Sequence, residues 1–232
     1  MANKTITQLD AAQSLNDNMV IAVQDTNTTY KTTLADVKAY CGGSGGDAYK
    51  VGDRVNDDSD NPVGTVSSIF TDGNGDRYAV VCLDAVNRLA SGSYLSSNQE
   101  VTNIPSYGGQ TLWSAPETAT TNTDAILATG TSSACTHCRS KSFIIDNTTY
   151  YGQLPNIKEL TDILANRIMI DDNDPTASSY SSLVISQEGN TWSSNQCNSS
   201  QSWEVAYTGA VTNNSKTLAC KIIPVLEIPL ED

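Results

Sequence analysis

Cys135-Thr136-His137-Cys138 holds the side chains best suited to chemistry in this chain. Two thiols separated by two residues can ligate zinc or exchange a disulfide. Tetrahedral zinc needs four ligands, however, and His137 is the only histidine among 232 residues. A redox pair would open a helix directly after a strand in a thioredoxin-like pattern, which the sequence around Cys135 lacks. The expectation is structural thiols or a local disulfide. His137 adjoins Cys138, but nucleophilic catalysis needs a base whose side chain meets the nucleophile, and adjacency in sequence does not supply that.

Hard oxygen ligands gather at Asn56-Asp57-Asp58-Ser59-Asp60-Asn61, Asp72-Gly73-Asn74-Gly75-Asp76 and Asp171-Asp172-Asn173-Asp174. Such groups suit calcium, yet the EF-hand spacing fails: no Gly follows Asp76 and no Glu stands at the twelfth position. These stretches read as solvated turns, with calcium at one of them as the alternative. Paired carboxylates for sugar cleavage would sit near aromatic residues, and no pair stands out there. The expected catalytic and metal-ligating residues are therefore none, and the chain reads as a non-enzyme without a cofactor.

Amides and hydroxyls suit recognition better. Ser186–Gln201 and Thr208–Lys216 are rich in Asn, Ser, Gln and Thr, with Trp192, Trp203 and Tyr207 nearby. Such groups pair with sugar hydroxyls, and aromatic faces cover apolar sugar or protein surface. Candidate ligand-binding residues are Asn190, Ser194, Asn195, Gln196, Asn198, Ser199, Gln201, Tyr207, Asn213 and Asn214. Trp192 and Trp203 read as core, with the polar residues between them exposed; the alternative for those is an ordinary polar loop.

The elements that must position these residues are short. The formal net charge is −13, which argues against nucleic acid and against adhesion to an anionic membrane, since both need clustered Lys and Arg. The first residues, Met1–Leu9, contain no apolar signal core, and no run approaches the length of a membrane span, so membrane insertion is not expected. Synthesis in a cytosol, without a secretory signal, argues for reduced thiols in Cys41, Cys82, Cys135, Cys138, Cys197 and Cys220, although Cys197 and Cys220 could pair after release.

Gly42-Gly43-Ser44-Gly45-Gly46 is a flexible boundary. Before it, Met19–Val23 reads as a strand, Asp25–Thr28 as a turn and Thr29–Lys31 as the returning strand. A short helix capped by Thr33 follows, with Leu34, Val37 and Cys41 on one face. So small a unit buries too little surface to stand alone, so it should oligomerise or dock. After the boundary, Val63–Phe70 and Arg77–Leu83 flank a hairpin turn at Asp72–Gly75. A polar stretch runs from about residue 90 to 123. Asn156 caps a helix with Glu159 at its third position and an apolar stripe of Ile157, Leu160, Ile163, Leu164 and Ile168. Strands at Ser202–Tyr207 and Leu218–Ile228 close the chain.

Two resemblances follow from these pieces. Ile6-Thr7-Gln8-Leu9-Asp10-Ala11-Ala12, the strand ending near Val23-Gln24-Asp25, and Tyr30–Val37 resemble the N-terminal segment of bacteriophage tail and head fibre proteins. That resemblance implies attachment to the virion, often as a trimer, through Ile6, Leu9, Val20, Val23, Tyr30, Leu34 and Val37. Residues 49–228 are similar, in the order of their parts, to a C-type lectin-like domain of the formylglycine-generating-enzyme-like branch. The parts are the opening hairpin, Trp113, Cys138-Arg139, the Leu154-Pro155 helix start, Trp192-Ser193-Ser194 and the terminal Pro224-Val225-Leu226 strand. The enzymes of that branch use a cysteine pair, and Cys197 and Cys220 match no motif of theirs, so the resemblance implies binding rather than catalysis.

The expected fold class is α+β: an N-terminal hairpin-helix anchor (1–41), a Gly-rich linker (42–47) and a C-type lectin-like domain with irregular loops (48–232). The expected function is that of a virion fibre or decoration protein, the expected partners being a second and third copy, a phage capsid or tail protein, and a host surface receptor or glycan. The alternatives are a structural knob without ligand and a cysteine- or carboxylate-dependent enzyme.

Overall fold

The computed structural model describes residues 20–24, 29–33, 49–185 and 189–230. The chain divides into two compact units, Met1–Asp47 with Asp232, and Ala48–Glu231. In the first, β1 (Val20–Gln24) and β2 (Thr29–Thr33) form an antiparallel hairpin with Val23 opposite Tyr30. The helix expected after Thr33, the glycine run, and Ile6, Leu9, Leu34 and Val37 lie outside the described residues.

The second unit mixes helices with sheets. A four-stranded antiparallel sheet is built from β3 (Arg54–Asn56), β4 (Pro62–Thr71), β5 (Arg77–Leu83) and β13 (Val225–Pro229), in the order β13-β5-β4-β3. The turn between β4 and β5 is held by Asp72, whose carboxylate accepts the amides of Asn74 (2.8 Å) and Asp76 (3.0 Å). From Ala79 to Leu83, β5 is an unbroken apolar run because both faces of this sheet are covered. Val80 and Cys82 enter one core cluster, and Ala79, Val81 and Leu83 another. At Gly64 the strands come so close that a Cβ would stand 2.3 Å from the Cys82 carbonyl oxygen, so only glycine fits.

A second sheet has five strands: β6 (Leu89–Ser93), β9 (Asn190–Gln196), β10 (Gln201–Ala206), β11 (Val211–Ser215) and β12 (Ala219–Ile222), in the order β11-β10-β9-β12-β6. The single terminal strand expected over Leu218–Ile228 is in fact two. The chain leaves β12 at Ile223-Pro224, and β13 then joins the other sheet, pairing with β5. Proline carries no amide for a sheet ladder, so the break falls there. A small hairpin of β7 (Ser142–Ile145) and β8 (Thr148–Tyr151) covers the outer face of the four-stranded sheet.

Among the described residues, four α-helices complete the unit: α1 (Ala119–Thr129), α2 (Ser133–Arg139), α3 (Ile157–Ala165) and α4 (Arg167–Asn173). Helix α3 starts as its sequence predicts. Asn156 Oδ1 accepts the amides of Lys158 and Glu159, and Glu159 Oε2 accepts the Asn156 amide, a reciprocal cap worth about 1 kcal/mol. Ile157, Leu160, Ile163 and Leu164 are buried, but Ile168, expected on the same stripe, is 66% exposed. The helix stops at Asn166, whose side chain donates to the Ser67 carbonyl, and the restart as α4 loses the phase.

Part of the stretch read as polar and irregular, 90–123, is regular: it contains most of β6 and the start of α1. Helix α1 escapes its sequence pattern because Thr and Asn occupy both its buried and its exposed positions; Asn122 and Thr123 are fully buried.

Candidate functional site

The five-stranded sheet lies between two core clusters, and this decides the fate of the candidate residues. Trp192 enters one cluster with Tyr94, Ile126 and Ile222, and Trp203 enters the other with Val205, Ile163 and Phe70. Each indole nitrogen donates to a backbone carbonyl, Trp192 to Gly92 at 3.0 Å and Trp203 to Tyr107 at 2.9 Å. Both tryptophans are core, as the sequence indicates.

The polar residues after Trp192 are not the exposed surface expected of them. Ser194, Asn195 and Gln196 are fully buried. Ser194 accepts Asn122 Nδ2 at its hydroxyl and Tyr94 Oη–H at its carbonyl. Asn195 Oδ1 accepts the Ile157 amide at the start of α3 (2.8 Å). Gln196 Nε2 donates to the carbonyls of Val101 and Ile104, while its Oε1 accepts the Val101 amide and Lys216 Nζ. These three side chains stitch a loop and a helix start to β9. With the sheet covered on both sides, most of these polar groups bond internally, because unpaired buried groups are costly; Asn195 Nδ2 is the exception, with no partner among the described residues.

The other candidates do reach the surface. Asn190, Ser199 and Asn213 are exposed, and Asn198, Gln201, Tyr207 and Asn214 are half-buried. In the loop between β9 and β10, Asn198 Oδ1 accepts the amides of Ser200 and Gln201, and its Nδ2 donates to Gln201 Oε1. Asn198 and Gln201 thus shape the loop, and Ser199 is left at its tip.

Asn190 and Asn214 are brought together by a residue the sequence reading missed. Glu204 is buried on β10, opposite Trp192 on one side and Thr212 on the other. Its Oε1 accepts Asn190 Nδ2 (2.6 Å), Thr212 Oγ1 (3.1 Å) and Asn214 Nδ2 (3.4 Å), and its Oε2 accepts the Cys220 thiol (3.0 Å). Asn190, Asn214 and Cys220 also line an open depression of about 440 Å³, together with Leu218 and Lys221. The depression therefore has side-chain amides held in fixed orientation by a carboxylate behind them, beside the half-exposed Leu218. Strand alternation could have found Glu204: in Ser202-Trp203-Glu204-Val205 it must face away from Trp203 and Val205, into the opposite layer.

The depression carries no reactive centre. Burial and the neighbouring Glu204 carboxylate push the Cys220 thiol up, so it stays protonated and serves as a donor. Burial depresses the Lys221 ammonium, whose Nζ donates to the Val184 carbonyl at 3.1 Å. Such a surface can bind a neutral polar ligand through amides and hydroxyls.

The other chemical motifs are absorbed by structure. Cys135 and Cys138 lie inside α2, fully buried and unbridged; burial pushes the Cys135 thiol to about 12 and Cys138 well above its ordinary value. His137 Nε2–H donates to the Asn87 carbonyl, and partial burial lowers its pKa. Asp57 and Asp72 close their own turns, and Asp58 accepts the amides of Asp146 and Asn147 at the tip of the β7–β8 hairpin. The third Asp-rich stretch is not a solvated turn. It ends α4, and Asp171 and Asp174 pair with the buried guanidinium of Arg88 at 3.3 and 3.4 Å. Among the described residues no group of three or more His, Cys, Asp or Glu side chains could hold a metal ion, and no helix is long and apolar enough to cross a membrane. The chain matches no protein-family model, no curated protein and no solved structure.

Proposed function

We propose that this chain is a fibre or decoration protein of a bacteriophage virion, with residues 1–41 as the attachment and trimerisation segment and 48–232 as a C-type lectin-like domain that binds a host surface receptor or glycan. The observation that carries the binding role is the Glu204-held pair of amides, Asn190 and Asn214, at an open depression without a reactive group. Pre-oriented amides bind hydroxyls without first losing rotamer freedom, and Leu218 offers apolar area beside them. The order of parts behind the lectin-like reading is supported by one sheet joining the opening hairpin β4–β5 to the terminal strand β13. Weak single-site binding would be raised by several copies on one particle.

The test is retention of the labelled full-length protein on host cells and on a glycan array, with the Asn190→Ala/Asn214→Ala double variant beside it. Binding that falls tenfold or more in the variant, about 1.4 kcal/mol, supports the reading. Equal binding by both proteins moves the ligand elsewhere on the domain. Binding by neither favours a knob without ligand.

A further inference from the structure

Two carboxyl groups meet in the interior where the starts of two helices reach the terminal strand. Glu159, on the first turn of α3, is fully buried. Its Oε2 accepts the Asn156 amide at 2.8 Å. Its Oε1 receives no hydrogen bond from any described residue, while the side chain is in hydrogen-bonding contact with Glu227 of β13. Glu227 in turn caps α1: its oxygens accept the amides of Ala119 (2.8 Å) and Thr120 (2.9 Å) and the Thr120 hydroxyl (2.6 Å).

Glu227 therefore already has three donors at a helix N-terminus. Glu159 has one amide and faces the Glu227 carboxyl. Among the described residues neither carboxyl forms an ion pair with Lys or Arg. Of the other ionisable groups near the pair, Asp162 lies one turn along α3, and the phenol of Tyr78 on β5 faces Glu227. Two contacting carboxylates without a cation cannot both ionise cheaply in a buried site.

We propose that Glu159 and Glu227 share a single proton, and that this proton fastens the starts of α1 and α3 to β13, so that the junction loosens when it is lost. The Glu159 hydroxyl donates to the Glu227 carboxylate, and no other group gains or loses charge. Burial first, and the Glu227 charge second, push Glu159 well above the ordinary carboxylate range. A carboxyl raised in the folded state contributes stability that is complete below its unfolded pKa and is lost as pH rises through the folded value. Glu227 also lines an open depression of about 440 Å³ with Tyr78, Tyr150 and Thr118, so the proton governs the charge behind that surface.

The experiment is a pair of measurements on the full chain. Carbon NMR of protein labelled at the Glu carboxyls should show one carboxyl still protonated near pH 7, where free Glu is ionised at about 4.3. Thermal midpoints should fall by roughly 5 °C between about pH 5 and pH 8 in the wild type. Glu159→Gln, which keeps an N–H donor toward Glu227, should flatten that decline. Glu carboxyls that are all ionised at neutral pH would overturn the proposal, as would parallel midpoint profiles in the two proteins. If Glu159→Gln fails to fold, the NMR result on the wild type decides alone.

Discussion

Two stretches of nearly the same composition lead opposite lives in this domain. Ser193-Ser194-Asn195-Gln196 on β9 is fully buried, while Val211-Thr212-Asn213-Asn214-Ser215 on β11 is largely accessible. Strand β9 is third of five in its sheet, with core clusters on both faces; β11 is at the edge. The inner strand uses its amides to hold a loop, a helix start and a buried lysine. The edge strand donates Thr212 and Asn214 to Glu204 and leaves Asn213 to solvent. Polarity in a strand thus signals recognition only where one face is open; where both are covered it signals an internal hydrogen-bond network.

The sharpest way to break this contrast is Gln196→Ala. It leaves the Val101 amide and two carbonyls without their side-chain partner and takes from the Lys216 ammonium one acceptor, the Gln99 carbonyl remaining. We expect a loss of about 3 kcal/mol, read from chemical denaturation, because leaving buried polar partners unpaired is far costlier than losing one bond. A loss below about 0.5 kcal/mol would mean the inner strand is no more structural than the edge.

A smaller effect follows from Lys216, which is fully buried yet lies only 2.8 Å from the Gln99 carbonyl and 2.9 Å from Gln196 Oε1. Burial lowers its pKa from 10.5 to about 8. For a base depressed in the folded state, the unfolded chain binds more protons between the two values, so stability rises with pH across the window from about 8 to 10.5. Lys216→Met should lose that rise relative to wild type in thermal midpoints. Parallel profiles would show that the ammonium is solvated.

The smallest expected effect is at the edge. Asn213→Ala should change stability by less than about 0.5 kcal/mol. If ligand binding centres on the depression beside β11, the same variant should weaken binding modestly on host cells. A large loss of stability would make β11 part of the core and erase the difference between the strands.

Local signals were legible wherever they were self-contained. The α3 cap needs only Asn156 and Glu159, three residues apart, and it forms as written. The turn at Asp72–Gly75 and the β1–β2 hairpin are equally local. Helix α1 was not legible, because Asn122 and Thr123 are buried against partners on β9 and at Leu154, which no period in the sequence reveals. The candidate site was legible in part. Asn190 and Asn214 could be picked out by type, but Glu204, which joins them, lies in an apolar-looking strand.

The sequence by itself determined the α+β mixture, the hairpins, the α3 start and the burial of both tryptophans. Those depend on contacts within a few residues or on counts of residue types. Only the tertiary structure decided that β9 is an inner strand, that the chain changes sheet at Pro224, and that Glu159 meets Glu227 from the other end of the domain. Each of these joins residues far apart in sequence, and which faces of a strand are covered is set by its neighbours rather than by its own side chains.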